Sequence, residues 1–219
     1  MKYKTIIFDL DGTLLNTLED IKDAINETFK NLNYPYIVNN EDTKHFIGYG
    51  MNILVNRVSE KFSFNEKQKE EFLNLYRQEY TRHVNKKTKP FLGVIEGLKN
   101  LKENGVKLGV ISNKPNNDAL KCIEHYFGNI FDFVIGNTEG IKIKPYPDIF
   151  YYMVNKFKFD RNSVLYVGDM DVDLIFSRNI DVDVAIVSYG YGEKETYKDA
   201  NYIISDFSEL MRIENEKTA

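Results

Sequence analysis

The chain carries two carboxylates, Asp9 and Asp11, at the end of a short apolar stretch at residues 3–9. That stretch is rich in β-branched and aromatic residues and breaks at Gly12, which predicts a buried strand ending in a turn. In open α/β sheets, ligands bind just outside the carboxyl ends of the strands, so paired carboxylates at this point suit catalysis or metal binding. A plain Asp/Gly turn is the alternative. A calcium loop of the EF-hand kind is disfavoured, because the further ligand positions do not follow at the required spacing.

Three further polar groups lie at the ends of other apolar stretches: Ser112 with Asn113, Lys144, and Asp169 with Asp173. Each group has a structural alternative, namely a helix cap, a solvated lysine and the negative first turn of a helix. A parallel sheet would bring all of these loops to one edge and gather carboxylates, a hydroxyl and an ammonium around one crevice. Their joint arrangement therefore predicts a single functional site.

The elements that must position these residues alternate along the chain. Strand-like apolar stretches occur at 3–9, 106–112, 131–136, 163–168, 183–188 and 201–204. Amphipathic stretches of helical length lie at 93–104, 116–127, 147–157 and 206–215. Near-continuous apolar strands that alternate with helices are typical of a parallel sheet covered on both faces. We predict an α/β fold with a doubly wound parallel sheet.

One connection is longer than an ordinary βα loop, which takes roughly 2–6 residues. After the first strand, the next comparable stretch starts only at residue 106. Two capping-box patterns, Thr17 with Asp20 and Asn65 with Gln68, predict helices within this connection. The simplest interpretation is an inserted helical cap domain at 16–87, with a core formed by 1–15 and 88–219.

The composition limits the classes of partner. The 219 residues include 29 Lys and Arg against 33 Asp and Glu, a formal net charge of −4, which argues against nucleic-acid binding. Charged residues interrupt every apolar run before the roughly 20 residues that a bilayer crossing needs. A single cysteine, Cys122, excludes an intramolecular disulfide, and the first residues lead straight into a strand instead of a signal peptide. We expect a cytoplasmic protein without nucleic-acid or membrane partners.

Taken in order, the motifs resemble those of the haloacid dehalogenase superfamily of phosphotransferases. They are FDLDGT at 8–13, Ser112 with Asn113, Lys144 with Pro145, and GDMDVD at 168–173. The inserted helical segment resembles the helical cap of that family. The stretches DLDGTLLNTLEDI, GYGMNILVNR, PFLGVIEGLKNLKENG and YVGDMDVD further resemble phosphoglycolate phosphatases.

The resemblance implies a phosphatase that acts on a small phosphorylated metabolite, with 2-phosphoglycolate as the leading substrate. Pyrophosphate, a sugar phosphate or a nucleoside monophosphate are alternative substrates for the same core. A phosphomutase is less favoured, because Thr13 follows Gly12 here. A non-catalytic binding module on this fold is also conceivable, since fold alone does not establish function, but the presence of both Asp9 and Asp11 argues against it.

The residue types suit such a reaction. An ionised Asp9 can attack phosphorus and form an aspartyl-phosphate. Asp11 can protonate the leaving group and later take a proton from water. Lys144 and Ser112 can stabilise the transferring phosphoryl group through charge and hydrogen bonds. The predicted phosphate-binding residues are Thr13, Ser112, Asn113 and Lys144.

A dianionic phosphate cannot approach four carboxylates without a countercharge, and an all-oxygen site suits Mg²⁺. The resemblance likewise implies Mg²⁺, held by the Asp9 side chain, the Asp11 backbone carbonyl and Asp169. Asp173 is predicted to support the ion, directly or through water.

Two cap residues, Tyr49 and Arg57, are predicted to contact the leaving group of the substrate. A guanidinium can pair bidentately with a carboxylate, which makes Arg57 a candidate for binding the acidic group of 2-phosphoglycolate. The alternatives are a turn between helices at residues 48–50 and a solvated arginine on a helix.

Overall fold

The computed structural model describes residues 2–215, and the chain divides into two compact units. One unit comprises Met1–Asn16 and Pro90–Ala219, and the other is Thr17–Lys89. The second unit spans nearly the same residues as the predicted cap at 16–87. None of the helices within residues 2–215 has the length and apolar character that a bilayer crossing demands.

The described chain contains eight strands, numbered in sequence order: β1 (Thr5–Phe8), β2 (Leu15–Asn16), β3 (Lys89–Pro90), β4 (Lys107–Pro115), β5 (Phe133–Asn137), β6 (Val164–Gly168), β7 (Asp183–Val187) and β8 (Tyr202–Ile204). Six of them form one sheet in the order β5-β4-β1-β6-β7-β8, and every neighbouring pair is parallel. These six are the strands that the apolar stretches predict, so the predicted fold class is confirmed. The short β2 and β3 pair separately.

Nine α-helices lie within the described residues: α1 (Leu18–Asn31), α2 (Asn40–Phe46), α3 (Met51–Phe62), α4 (Glu66–His83), α5 (Val94–Glu103), α6 (Asn116–Phe127), α7 (Asp148–Phe157), α8 (Asp171–Ile180) and α9 (Glu209–Asn215). The four helices predicted in the core correspond to α5, α6, α7 and α9, and α9 begins three residues later than expected. Two short 3₁₀ helices, Arg161–Ser163 and Lys194–Asp199, complete the unit.

The register of the central strands sets the position of the functional edge. Phe8, the last residue of β1, pairs with Val110 on β4 and with Val167 on β6. All residues of β1 and β6 are buried, as expected for strands covered by helices on both faces. Residues that follow β1 and β6 therefore emerge side by side, while β4 continues past them to Pro115.

The second unit has a core of its own, built largely from aromatic rings. The buried Phe29 ring of α1 lies 5.1 Å, centroid to centroid, from the rings of Phe62 and Phe72. The predicted capping box at the start of α4 is confirmed, because Asn65 and Gln68 exchange side-chain and backbone hydrogen bonds. Because most helical stability in proteins comes from tertiary packing, contacts such as these between the rings stabilise the helices of this unit.

The capping box predicted at Thr17 and Asp20 is wrong. The Thr17 side chain does not cap α1, and the buried Asp20 carboxylate serves a distant segment instead. It accepts hydrogen bonds from the backbone N–H groups of Lys86 (3.1 Å), Lys87 (2.8 Å) and Thr88 (3.1 Å), and from the Thr88 hydroxyl (2.7 Å). These bonds hold the return segment in the second unit, which explains why that unit extends to Lys89.

We expect Asp20→Ala to lower the free energy of unfolding by about 3 kcal/mol, because the buried N–H and hydroxyl of Thr88 and the part-buried N–H groups of Lys86 and Lys87 lose a charged acceptor. Asp23→Ala is the matched control, since Asp23 lies on the same helix and pairs with the exposed Lys87 ammonium at 2.6 Å. A surface pair of this kind contributes about 1 kcal/mol or less. Urea denaturation of the two variants checks the prediction. Similar losses in both would contradict it.

Candidate active site

Asp9 lies in a buried group of charged side chains at the carboxyl edge of the sheet. Strand β1 carries it there, and its backbone N–H donates to the Val167 carbonyl of β6 at 2.8 Å. Its carboxylate Oδ1 accepts a hydrogen bond from Lys144 Nζ at 2.7 Å. The first strand thus delivers a carboxylate directly to a buried ammonium.

Lys144 is the cation of this group, and its side chain is only 1% exposed. Its Nζ lies 2.7 Å from Asp9 Oδ1, 2.7 Å from Asp173 Oδ1 and 2.9 Å from the Tyr166 hydroxyl. Burial lowers the pKa of Lys144, but the attraction of Asp173 and Asp9 outweighs it and holds that pKa above its usual value. The Asn113 side-chain amide donates to the Lys144 carbonyl at 2.9 Å and so fixes the loop that carries the lysine.

Asp173 lies in the first turn of α8 and joins the cation to the neighbouring loop. Its Oδ2 accepts from the backbone N–H groups of Asp169 (3.2 Å) and Met170 (3.1 Å), while its Oδ1 accepts from Lys144 and from Tyr166 (3.0 Å). A negative charge is favourable at a helix N-terminus. Asp173 therefore lies in the negative first turn of a helix, as the structural alternative expected, and also contacts Lys144; its predicted role at the metal stays a prediction.

Asp169 is fully buried and is enclosed by backbone. Its Oδ1 accepts from the Thr13 hydroxyl at 3.0 Å, and its Oδ2 accepts from the Tyr191 backbone N–H at 2.8 Å. A Cβ atom at Gly12 or at Gly190 would overlap the Asp169 side chain, and Gly12 also has a positive φ of 94°. These two positions need glycine, because the chain must pass directly against the carboxylate.

Together the buried carboxylates fit a divalent cation. Oxygens of Asp9, Asp169 and Asp173 lie within 4.8 Å of one another. Burial raises the pKa of Asp9 to about 7, although Lys144 lowers it, and burial raises the pKa of Asp169 well above its usual value, with the charges of Asp173 and Asp9 adding to this effect. Ionising all three carboxyls beside a single ammonium is therefore unfavourable unless a further cation is bound. The all-oxygen donor set is the kind that Mg²⁺ prefers.

Asp11 faces a different partner. Its Oδ1 lies 2.8 Å from the Nζ of Lys114, whose side chain is 2% exposed, whereas that of Asp11 is 20% exposed. The Lys114 backbone N–H donates to the buried Ser112 hydroxyl at 3.2 Å. The end of β4 therefore supplies both a hydroxyl and a second buried ammonium, next to the three-carboxylate group.

Sequence reasoning missed Lys114, Tyr166 and the Tyr191 amide. Lys114 directly follows the predicted Ser112 and Asn113, so its position after a buried strand was an available signal. Tyr166 lies within an apolar strand and has the sequence signature of a core residue. The Tyr191 contact is made by the backbone, which leaves no mark on the residue type.

The two cap candidates lie in the second unit and contact each other there. The Arg57 guanidinium carbon lies 4.9 Å from the centroid of the Tyr49 ring. Arg57 Nη1 donates to the carbonyls of His45 (2.9 Å) and Ile47 (3.1 Å), at the C-terminal end of α2. The predicted contacts of Tyr49 and Arg57 with a substrate stay predictions.

Comparison with known proteins identifies the family. Residues 6–187 match the family model described as haloacid dehalogenase-like hydrolase. The chain belongs to this family. A phosphoglycolate phosphatase of Haemophilus influenzae is 30% identical, over 97% of this chain and 98% of that protein. Pyrophosphatase PpaX of Halalkalibacterium halodurans is 27% identical, over 97% of each.

Solved structures agree with this assignment. The crystal structure of a predicted phosphoglycolate phosphatase from Haemophilus somnus has a TM-score of 0.88 and 27% identity, and the match covers 98% of this chain and 99% of that one. The haloacid dehalogenase-like fold is therefore shared over nearly the whole length, and the resemblance read from the motifs is confirmed.

The raised pKa of Asp9 predicts how stability depends on pH. Without metal, the folded pKa of about 7 exceeds the value of roughly 3.9 in an unfolded chain. The contribution of Asp9 to stability is then complete below that unfolded value and is lost as the pH rises through 7. We expect chelator-treated protein to lose stability relative to Asp9→Asn over this range.

Thermal unfolding of both proteins across the range checks this expectation. Mg²⁺ should raise the midpoint of the unaltered protein more than that of Asp9→Asn above neutral pH, because the ion binds the ionised carboxylate. Parallel pH curves for the two proteins would contradict the prediction.

Proposed function

We propose that this haloacid dehalogenase-like hydrolase is a Mg²⁺-dependent phosphatase that cleaves a small phosphorylated metabolite through an aspartyl-phosphate, with 2-phosphoglycolate as the leading substrate. The observation that carries the proposal is the Asp9 carboxylate, held against the buried Lys144 ammonium and next to two further carboxylates. The phosphoglycolate phosphatase relative supports the substrate. The pyrophosphatase relative makes pyrophosphate the second candidate.

In the proposed reaction, Asp9 is the nucleophile. Its carboxylate oxygen attacks phosphorus, the bond from phosphorus to the leaving oxygen breaks, and Asp11 donates a proton to that oxygen. Asp11 then takes a proton from water as the water oxygen attacks the aspartyl-phosphate, which releases inorganic phosphate and restores Asp9. Asp11 follows Asp9 by two residues, so both belong to the turn after β1.

The phosphoryl group needs positive charge and donors around its oxygens. We assign Lys144 and Ser112 to this task, because Lys144 is a permanent cation and the Ser112 hydroxyl lies at the same edge of the sheet. Thr13 and Asn113 remain predicted phosphate contacts. Their side chains also bond to Asp169 and to the Lys144 carbonyl, so they help to position those two residues.

We assign the Mg²⁺ ligands to the Asp9 side chain, the Asp11 backbone carbonyl and Asp169. When bound, the ion supplies a countercharge to the phosphoryl oxygens and holds Asp9 ionised. Asp173 supports the site through its bonds to the Asp169 and Met170 amides, as a direct or water-mediated ligand.

We expect Asp9→Asn to abolish hydrolysis of 2-phosphoglycolate while the fold is retained, because the amide preserves the size of the side chain and removes the nucleophile. Asp171→Asn is the matched control from the same GDMDVD segment as Asp169, and it should stay active. Steady-state phosphate release and circular dichroism measure the two effects. A panel with pyrophosphate, a sugar phosphate and a nucleoside monophosphate ranks the substrates. Near-normal activity of Asp9→Asn would overturn the mechanism.

Removal of metal should stop turnover, because the phosphate dianion then lacks its countercharge and the raised pKa of Asp9 disfavours the ionised nucleophile. Adding Mg²⁺ should restore it, and Ca²⁺ should restore little, since its longer and looser coordination relaxes the reacting geometry. The measurement is phosphate release after chelator treatment and desalting. Full activity in metal-free buffer would exclude the assignment.

A further inference from the structure

We propose that Lys114 binds the second acidic group of the substrate, the one carried by the leaving group. This inference rests on the proposed function and specifies the substrate class: a phosphate ester or anhydride whose leaving group carries a carboxylate or a further phosphate close to the departing oxygen. In 2-phosphoglycolate, that group is a carboxylate one methylene away from the ester oxygen.

Binding an acidic group at a buried site requires a buried cation. Among residues 2–215, Lys114 and Lys144 are the lysines or arginines that are buried. Lys144 lies between the carboxylates of Asp9 and Asp173, on the side of the attacking group. Lys114 instead pairs with Asp11, the proposed proton donor to the leaving oxygen. Lys144 thus lies beside the proposed nucleophile, and Lys114 lies beside the proposed proton donor.

The Lys114 ammonium lies within reach of the leaving group of the substrate. Lys114 Nζ lies 2.8 Å from Asp11 Oδ1. A leaving oxygen that receives the proton of Asp11 must come within hydrogen-bond reach of that carboxyl. A carboxylate one methylene further along the substrate then stays close to the same ammonium. The backbone bond from Lys114 to the Ser112 hydroxyl keeps the lysine at the end of β4, next to a proposed phosphate contact.

Charge balance also favours Lys114. A second acidic group next to Asp11 adds an anion to a partly enclosed position, and such an anion requires a cation partner. An ammonium has three N–H donors, so it can donate to a second carboxylate while it keeps the first, as Lys144 does with Asp9 and Asp173. A neutral leaving group would leave Lys114 with no added partner. Lys114 therefore favours acidic leaving groups over neutral ones.

Arg57 was the sequence-based candidate for this role. Its Nη1 is already used by the carbonyls of His45 and Ile47, which ties the guanidinium to the end of α2. Lys114 carries a comparable charge on the unit that holds Asp9 and Asp11. The structure therefore favours the lysine, and a test can compare the two cations directly.

The experiment measures kcat/KM of Lys114→Met, Lys114→Arg and Arg57→Ala on 2-phosphoglycolate, pyrophosphate and ethyl phosphate. Ethyl phosphate has an alkoxide leaving group without the carboxylate. We expect Lys114→Met to reduce the value for 2-phosphoglycolate about 30-fold more than that for ethyl phosphate, as for loss of a paired charge. Lys114→Arg should retain most of the preference, and Arg57→Ala should change it less. If Lys114→Met loses more kcat/KM on 2-phosphoglycolate than on pyrophosphate, Lys114 binds a carboxylate; the reverse order indicates a phosphate.

Binding provides a readout that does not depend on turnover. In the Asp9→Asn background with Mg²⁺, calorimetry should show that Lys114→Met weakens binding of 2-phosphoglycolate much more than binding of inorganic phosphate. If Lys114→Met fails to fold, the same comparison with Lys114→Arg against Lys114→Gln decides the matter, because one keeps the charge and the other removes it.

The outcomes separate the inference from the function on which it rests. Equal losses on the acidic and the neutral substrates would show that Lys114 only orients Asp11, and would overturn the inference alone. If the unaltered protein hydrolyses ethyl phosphate but neither acidic substrate, the proposed substrate class is wrong and the inference falls with it.

Discussion

The buried ammonium of Lys144 between the carboxylates of Asp9 and Asp173 is the interaction on which the rest of the site depends. A buried charge without a partner is costly, and a broken buried pair typically destabilises a protein by about 3–5 kcal/mol. Hydrogen bonds from neighbouring residues hold these charged groups in place. Tyr166 adds a hydroxyl to both the ammonium and Asp173, and Asn113 holds the main chain of the lysine. The sheet register then brings the three charged residues together from β1, the loop after β5, and α8.

This arrangement also explains why the site is built from carboxylates in excess. A fully neutralised group would bind neither a cation nor a phosphate strongly, whereas three carboxylates and one ammonium favour a divalent ion, which in turn attracts a dianion. In the proposed function, charges alternate from the protein to the ion to the substrate. The proposed role of Lys114 extends this alternation to the leaving group of the substrate. Membership of the haloacid dehalogenase-like hydrolase family agrees with this electrostatic interpretation.

Local patterns predicted the sheet well, because each central strand is a short apolar run whose burial on both faces leaves a continuous signal. The meeting of the residues that follow those strands was predictable as well, because parallel strands bring their carboxyl ends to one edge of the sheet. The roles that sequence patterns did not predict are those of residues whose partners are distant in the sequence. Asp20 has the spacing of a helix cap, yet its carboxylate binds backbone more than sixty residues away. Lys114 and Tyr166 gain their importance from Asp11 and Lys144, which the chain brings close only on folding.

The bonds from Asp20 to residues 86–88 have a consequence for how the inserted segment is tolerated. They join the start of that segment to its end within the second unit. The entropy cost of a long insertion arises mainly from bringing its ends together. Here the hydrogen bonds of Asp20 to residues 86–88 offset that cost within the insertion. The segment therefore behaves as a self-closed module. Because the insertion closes on itself, it adds little to the entropy cost of bringing β1 and β4 together as neighbouring parallel strands.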